Sequence, residues 1–374
     1  MREFPLSSTL LFVSMAIAIP VAAEAASDPF FSRWETFGEA DGLPSEKVTA
    51  VAIDGNRIWV GTDAGLALLE NGRIEVTGVE DGLPFPVVSA LAVDRTTGDL
   101  WIGTQGGLAR LSAGRIDRFT QLDSGLANDV VYGVAARDGV VWVATAAGLN
   151  SYSAATDSWE IFDVSNTLMH EPWCYAVTFG GEDVYVAVWG GGVIVREHDT
   201  GRFREHRDPD GEMEIDLFPD DGLVHDVTSS IAWKDGVMWA GTYFGLSRYE
   251  GRRWKSFSRH DSGLASDFIN FVQTGDDEVW IATDRGLSRF DSIDWHTWTR
   301  RDAGAFELEV TKADGTEETV TVAGGPASNY ILGLAVDGRD IWLATAAGLT
   351  HGVGHRAERR SAAPQSEHKT GAPQ

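Results

Sequence analysis

The 374-residue chain has one cysteine, Cys174. A disulfide framework and a metal site built from several thiolates are thereby excluded. Basic residues are scarce, with 30 Lys and Arg against 56 Asp and Glu and a formal net charge of −26. A chain this acidic repels phosphate backbones, so nucleic acid is not an expected partner. Nor does it suit anionic lipid surfaces; neutral or cationic ligands fit it better. Beyond Pro20 no long apolar run remains, and no later segment is expected to insert stably in a bilayer. What the chain does have is 42 glycines and 14 tryptophans. Glycine at this level weakens helix interiors and suits turns, which argues against a helical bundle. At 43% apolar residues the chain can bury a sizeable core.

The two ends differ from the middle. Arg2 is followed by a short apolar run from Leu10 to Pro20 and then by Ala22, Ala23, Ala25 and Ala26. This pattern predicts a secretory signal over 1–26, cleaved near Ala23 or Ala25, and so an exported protein, periplasmic or secreted. Residues 355–374 are rich in Ala, Pro, Ser, Gln and charge, without an apolar period. A disordered tail is expected there.

Between them one unit recurs seven times. An aromatic residue is followed by two apolar or small residues, Thr, two variable residues and Gly-Leu. The first copy is Trp59-Val60-Gly61-Thr62-Asp63-Ala64-Gly65-Leu66; others begin at Trp101, Trp142, Trp239, Trp280 and Trp342. A degenerate copy begins at Tyr185. Successive aromatics are 41 to 43 residues apart, with longer steps of 54 and 62. Asp-Gly-Leu-Pro or a close variant precedes most copies, as at Asp41–Pro44, Asp81–Pro84, Asp123–Leu126, Asp221–Leu223 and Asp261–Leu264. Units four and seven keep traces, around Leu168 and Ser328.

One unit reads as four short strands, A to D. In the first, Val48 to Ile53 is strand A, Ile58 to Gly61 strand B, Gly65 to Leu69 strand C and Arg73 to Thr77 strand D. Asp54-Gly55-Asn56 and Asn71-Gly72 supply the turns. Four strands at a period near 42 predict an all-β, seven-bladed β-propeller over 27–354. The near-continuous apolar strands A and B fit elements covered on both faces. The strand B tryptophan is expected to pack between blades. Trp34-Glu35-Thr36-Phe37 resembles the strand D segments at Trp159 and Trp254, while the seventh unit ends after strand C. The N-terminal strand is therefore expected to complete the last blade and remove the open edge. A six-bladed ring with unit four as an insertion is the rival.

Together the Gly-Leu-Pro crossing and the Trp-(Val/Ile)-Gly-Thr-x-x-Gly-Leu strand–turn–strand resemble the two-component regulator propeller family, across roughly 31–353. The resemblance implies an extracytoplasmic, sensor-type propeller, of a kind often directed at glycans and fused to a kinase. Here one propeller stands without a kinase within these residues.

In such a ring the D–A crossings and the B–C turns share a face. Most B–C turns carry small or polar residues, but units four and five carry Trp189, Tyr243 and Phe244. Neighbouring crossings add His170, Glu171, Trp173, His225 and Asp226. Aromatic residues flanked by acids and imidazoles suit a sugar face, a flat ligand or a peptide. The same rings could instead pack beneath the insertion at about 197–220. Acids or amides recur at Glu46, Asp129, Glu171, Asp226, Asp267 and Asn329; turn caps explain them better than a metal crown. His170, Glu171, His225 and Asp226 are the candidate set for a metal or an acid–base pair. Cys174 reads as a small buried hydrophobe. His198 and His206 fall in the insertion and are expected to be solvated. A hairpin is expected from Phe306 to Val322.

Three functions follow from this reading. The first is a non-catalytic recognition propeller for a small ligand, glycan or peptide. The second is an envelope scaffold or assembly factor. The third is a metal-assisted lyase or hydrolase. No cofactor, oligomeric state or specific partner is named by the residues.

Overall fold

The computed structural model describes residues 25–211, 220–301 and 304–355. The expected signal up to residue 24, the tail from 356 and the middle of the 197–220 insertion lie outside the described residues. Seven antiparallel sheets form a ring of blades, with each strand A against strand A of the next blade. In blade one, strands A to D are Val48–Asp54, Arg57–Thr62, Gly65–Glu70 and Arg73–Thr77. Blade six has six strands, because the hairpin Phe306–Thr311 and Glu317–Val322 pairs onto strand D, Trp295–Arg300. Strand D of blade seven is the N-terminal strand Phe31–Phe37. It pairs with Gly348–Gly354 in the register Phe37 to Leu349 and Trp34 to Gly352.

Each residue of the repeated motif has a physical task. The tryptophan of strand B packs against the following blade: Trp59 lies with Val88 and Ile102, and Trp342 lies with Val48 and Val60. Its exposed side is covered by a cation in several blades. Arg110, Arg248 and Arg289 lie over the tryptophans they pair with across strands, 5.6–5.8 Å from the ring centroids. His351 stacks on Trp342 at 3.8 Å. The motif threonine is fully buried in six blades. Its hydroxyl donates to the carbonyl of the glycine that opens strand C, at 2.6–2.9 Å. It also accepts the N–H of the second turn residue. The B–C turn is thus closed by one side chain. That glycine has positive φ in all seven blades, a conformation side chains resist.

The crossing motif is equally plain. Asp41, Asp81, Asp123 and Asp261 each accept a backbone N–H at the start of the crossing, at 2.8–2.9 Å. The leucine that follows enters the interface with the preceding blade, as Leu43, Leu83, Leu126, Leu223 and Leu264 show. Blade four corrects the expected register. The inserted residue is Met169, buried beside Cys174, whereas Leu168 is 44% exposed. In blade seven the corresponding place is taken by the buried Pro326. Cys174 is fully buried and donates its S–H to the Met169 sulfur at 3.8 Å; burial pushes its thiol pKa up.

The insertion is also smaller than expected. Glu197 to Arg202 form the C–D turn of blade four, and Phe203–His206 is its strand D. His206 is not solvated: it is half-buried and packs against Tyr249 and Trp254 of blade five.

Two predictions follow from this packing. A Cβ at Gly348, φ +113°, would lie 2.7 Å from the Phe37 carbonyl oxygen, whereas one at Gly338, φ +59°, meets open space. Gly348→Ala should lower the unfolding free energy by about 2–4 kcal/mol, and Gly338→Ala by about 1 kcal/mol, in urea titrations. The second concerns pH. Burial, then the Arg204 guanidinium, push His206 down to about 4. Burial and then Arg289 likewise lower His296. The unfolded chain takes up these protons near pH 6.5, so between about 4 and 6.5 it binds more protons than the folded ring. Stability is therefore full above that window and falls as pH drops through it. His206→Gln should narrow the loss of urea midpoint between neutral and mildly acidic pH; an unchanged loss would clear His206 of a role.

Candidate functional site

At the start of every strand A, the residue before the strand accepts the N–H of the first B–C turn residue. The pairs run from Asp63 to Lys47 through to Ala346 to Tyr330, one per blade. These two positions, with the second residue of strand A, ring the mouth of the central channel. In blades one, two, five and six that second residue is Thr49, Ser89, Ser229 or Asn270. Each donates to the carbonyl of the first strand A residue in the next blade. Neighbouring blades are so tied by a polar staple.

Blades three and four break the pattern with Tyr132 and Tyr175. Their rings stack in parallel, 4.6 Å apart with 4° between planes. Tyr175 stacks on Trp189 at 5.0 Å, and Trp189 meets Tyr243 edge-on at 4.7 Å and 88°. Tyr243 then stacks on Phe268 of blade six at 3.6 Å. Five rings thus form one arc over four blades. Trp173 and Tyr330 stand exposed beside it, at 47% and 40%. Burial pushes the Tyr243 phenol up to about 12 and raises that of Tyr175, so both hydroxyls stay protonated at neutral pH.

The structure divides the residues singled out by sequence. Trp173, Trp189 and Tyr243 belong to the arc or its edge. Phe244 stacks on His225 at 4.1 Å instead. His225 is buried and its Nδ1 accepts the Val227 N–H. Asp226 is 2% exposed; it accepts from the Arg207 guanidinium and from the Asp208 N–H. His170 is exposed and faces Glu205 at 3.2 Å. Glu171 is exposed beside Gly190. Among the described residues no group of three or more His, Cys, Asp or Glu is placed to hold a metal ion. The recurring acids cap crossings: Glu46, Asp129, Asp267 and Asn329 accept backbone N–H groups at 2.6–3.0 Å.

Tyr132, Tyr175, Phe268 and Tyr330 were not singled out by the sequence reading. The signal was present: set out by position, the second strand A residues read Thr, Ser, Tyr, Tyr, Ser, Asn, Leu. On the opposite face a hollow of about 380 Å³ lies between blades five and six. Its Lys234 is bonded to the Gly275 and Asp276 carbonyls, and its Glu278 to Trp280 and Arg289. Those groups serve the framework.

No family model matches the sequence, and no curated protein does. In fold, the chain is similar to extracellular domains of two component systems. One such domain, from a hybrid two component system of B. thetaiotaomicron, superposes with a TM-score of 0.63 at 17% identity, over 86% of this chain and 42% of its own. A second from the same organism gives 0.63 at 16%, over 85% of this chain and 39% of its own. The chain therefore spans less than half the length of those domains. Virginiamycin B lyase from Staphylococcus aureus matches at 0.59 with 13% identity, over 85% of this chain and 97% of the lyase. Identities this low carry the fold alone, and propellers host both binders and enzymes. Among the described residues no helix is long and apolar enough to cross a membrane.

Burial separates framework from available surface. Asp226→Ala would remove a buried carboxylate that accepts from the Arg207 guanidinium and the Asp208 N–H, and should cost about 1–3 kcal/mol of stability. Trp173→Ala removes a ring already half in solvent and should cost about 0.5 kcal/mol or less in the same urea titration.

Proposed function

We propose that this protein is an exported, non-catalytic recognition propeller of the sensor type, which takes a small ligand, glycan or peptide on the aromatic arc. The supporting observation is the arc itself. Five rings drawn from four blades meet there, and two of them, Tyr132 and Tyr175, stand at the position that four other blades spend on polar staples. Rings stacked on one another and still partly open to solvent present apolar surface at little cost in side-chain entropy. In this reading Trp189 and Tyr243 form its centre and Trp173 its edge, while His170, Phe244, His225 and Asp226 are set by other contacts on the neighbouring turns and crossings. Export rests on the N-terminal pattern, with the extracellular structural neighbours as support.

A second reading draws on blade six. The outer hairpin strand is exposed from Glu317 to Thr321, and an open strand edge can pair with another chain. That favours an envelope scaffold. Glu317 and Glu318 guard the edge with like charge, which is how proteins discourage such pairing.

The test is a calorimetric and tryptophan-fluorescence screen of neutral oligosaccharides and short peptides against the full chain. Trp189→Ala combined with Tyr243→Ala should abolish whatever binding is found, with the strand content unchanged by circular dichroism. Binding that survives the double substitution would remove the arc from the account.

A further inference from the structure

At the blade-six end of the arc stands Asp284, the first residue of its B–C turn. The N–H of Asp284 bonds to the carbonyl of Phe268, whose ring stacks on Tyr243. One carboxylate oxygen, Oδ1, is buried and has no hydrogen-bond partner. The other lies 3.9 Å from Nε of Arg285, a side chain 64% exposed. Leaving a carboxylate oxygen dry and unpaired is unfavourable. Ala146 and Ala346 carry no polar side chain at the equivalent position and Gln105 a neutral one; blade one also has an acid there, Asp63, but none of its buried oxygens lacks a partner.

Over blades three to seven the mouth positions are free of cations, the nearby ones being Lys47 of blade one and Arg285 beside Asp284. In blades three to seven the first turn residues are Ala146, Trp189, Tyr243, Asp284 and Ala346. The residues before strand A are Val130, Trp173, Val227, Phe268 and Tyr330. Neither set contains Lys or Arg. Trp189 and Tyr243 stand at right angles, so they offer two walls rather than one platform. Aromatic walls attract a cation through their quadrupoles, and a carboxylate behind them adds a full opposite charge. A neutral sugar, by contrast, would call for a balance of donors and acceptors around the rings.

We propose that the arc and Asp284 together form a site for an organic cation, an alkylated or quaternary ammonium group, on a small molecule or at the end of a longer ligand. The rings take the alkyl groups and Asp284 faces the charge. The proposal rests on the arc being the ligand face, and narrows what that face selects.

The test compares choline and tetramethylammonium with 3,3-dimethylbutanol, the neutral carbon analogue of choline, by calorimetry on the full chain. The ammonium probes should bind at least about tenfold more tightly than the neutral analogue. Asp284→Asn, which keeps the side-chain shape, should weaken the ammonium probes by about tenfold and leave the neutral one unchanged. Trp189→Ala should weaken all three. Equal binding of charged and neutral probes, no effect of Asp284→Asn, or no ammonium binding at all would each overturn the cation proposal. The arc itself stands or falls separately: neutral oligosaccharide or peptide binding lost in Trp189→Ala would retain the arc while refuting its cation preference.

Discussion

Every blade buries an apolar face against the next, so the ring holds only when the seventh interface closes on the first. That interface contains Trp342, Ala344 and Leu349 from blade seven and Leu43, Val48 and Val60 from blade one. The chain closes it by lending its first strand to its last blade. Asp28 holds that strand in place. Its Oδ1 accepts the Phe30 and Phe31 N–H groups, and its Oδ2 accepts the Trp298 indole N–H at 2.8 Å. The side chain is 7% exposed, so these charge-assisted bonds form in a dry setting where they are strong. His355, at the far end of the described chain, bonds the Asp28 carbonyl. One aspartate thus ties the chain's start to blade six, and its carbonyl ties both to the end of blade seven.

Closure also explains why the motif tolerates so much variation elsewhere. Threonine and glycine fix each B–C turn through buried bonds and a positive φ, and the crossing leucine or methionine fixes the interface. The two residues between threonine and glycine carry no part of that load. Blade four lacks the threonine, with Val188 in its place, and makes its turn through other bonds, including Gly191 N–H to the Val188 carbonyl. Trp189 and Val227 form an isolated bridge beside it. The blade that departs most from the motif is therefore the one at the centre of the aromatic arc.

Most of the fold was legible because each repeated residue has a local task. Seven copies of Gly-Thr-x-x-Gly-Leu, or its variants, announce the same turn seven times. The last strand D was legible from a likeness between Trp34–Phe37 and other strand D segments. Blade four was misread by one residue at Leu168 because methionine fills the leucine's place. His206 was misplaced because its strand is short and its C–D turn long. The arc was only half legible. Trp189 and Tyr243 stood out in the turns, but Tyr132, Tyr175 and Phe268 looked like ordinary strand residues. Their ring neighbours lie 14 to 43 residues away in sequence, and stacking across blades has no local period to detect.

The distribution of charge sharpens what such a ring can select. Cations in this molecule are largely committed to the framework, over strand B rings or on partner acids, as with Arg110, Arg248, Arg289 and Arg207. The crossing carboxylates Glu46, Asp129, Asp226 and Asp267 are likewise occupied with backbone N–H groups. Asp284 is the exception at the mouth, with a buried oxygen that no group in the described structure satisfies. Framework residues are paired because an unpaired buried charge destabilises a fold. The other oxygen of Asp284 lies 3.9 Å from Arg285 and the Asp284 side chain is 30% exposed, so the proposed ligand would complete the one buried oxygen that is left over. Asp284 stands at the blade-six end of the arc, bonded through its N–H to the Phe268 carbonyl, and this is what joins it to the rings in the proposed site.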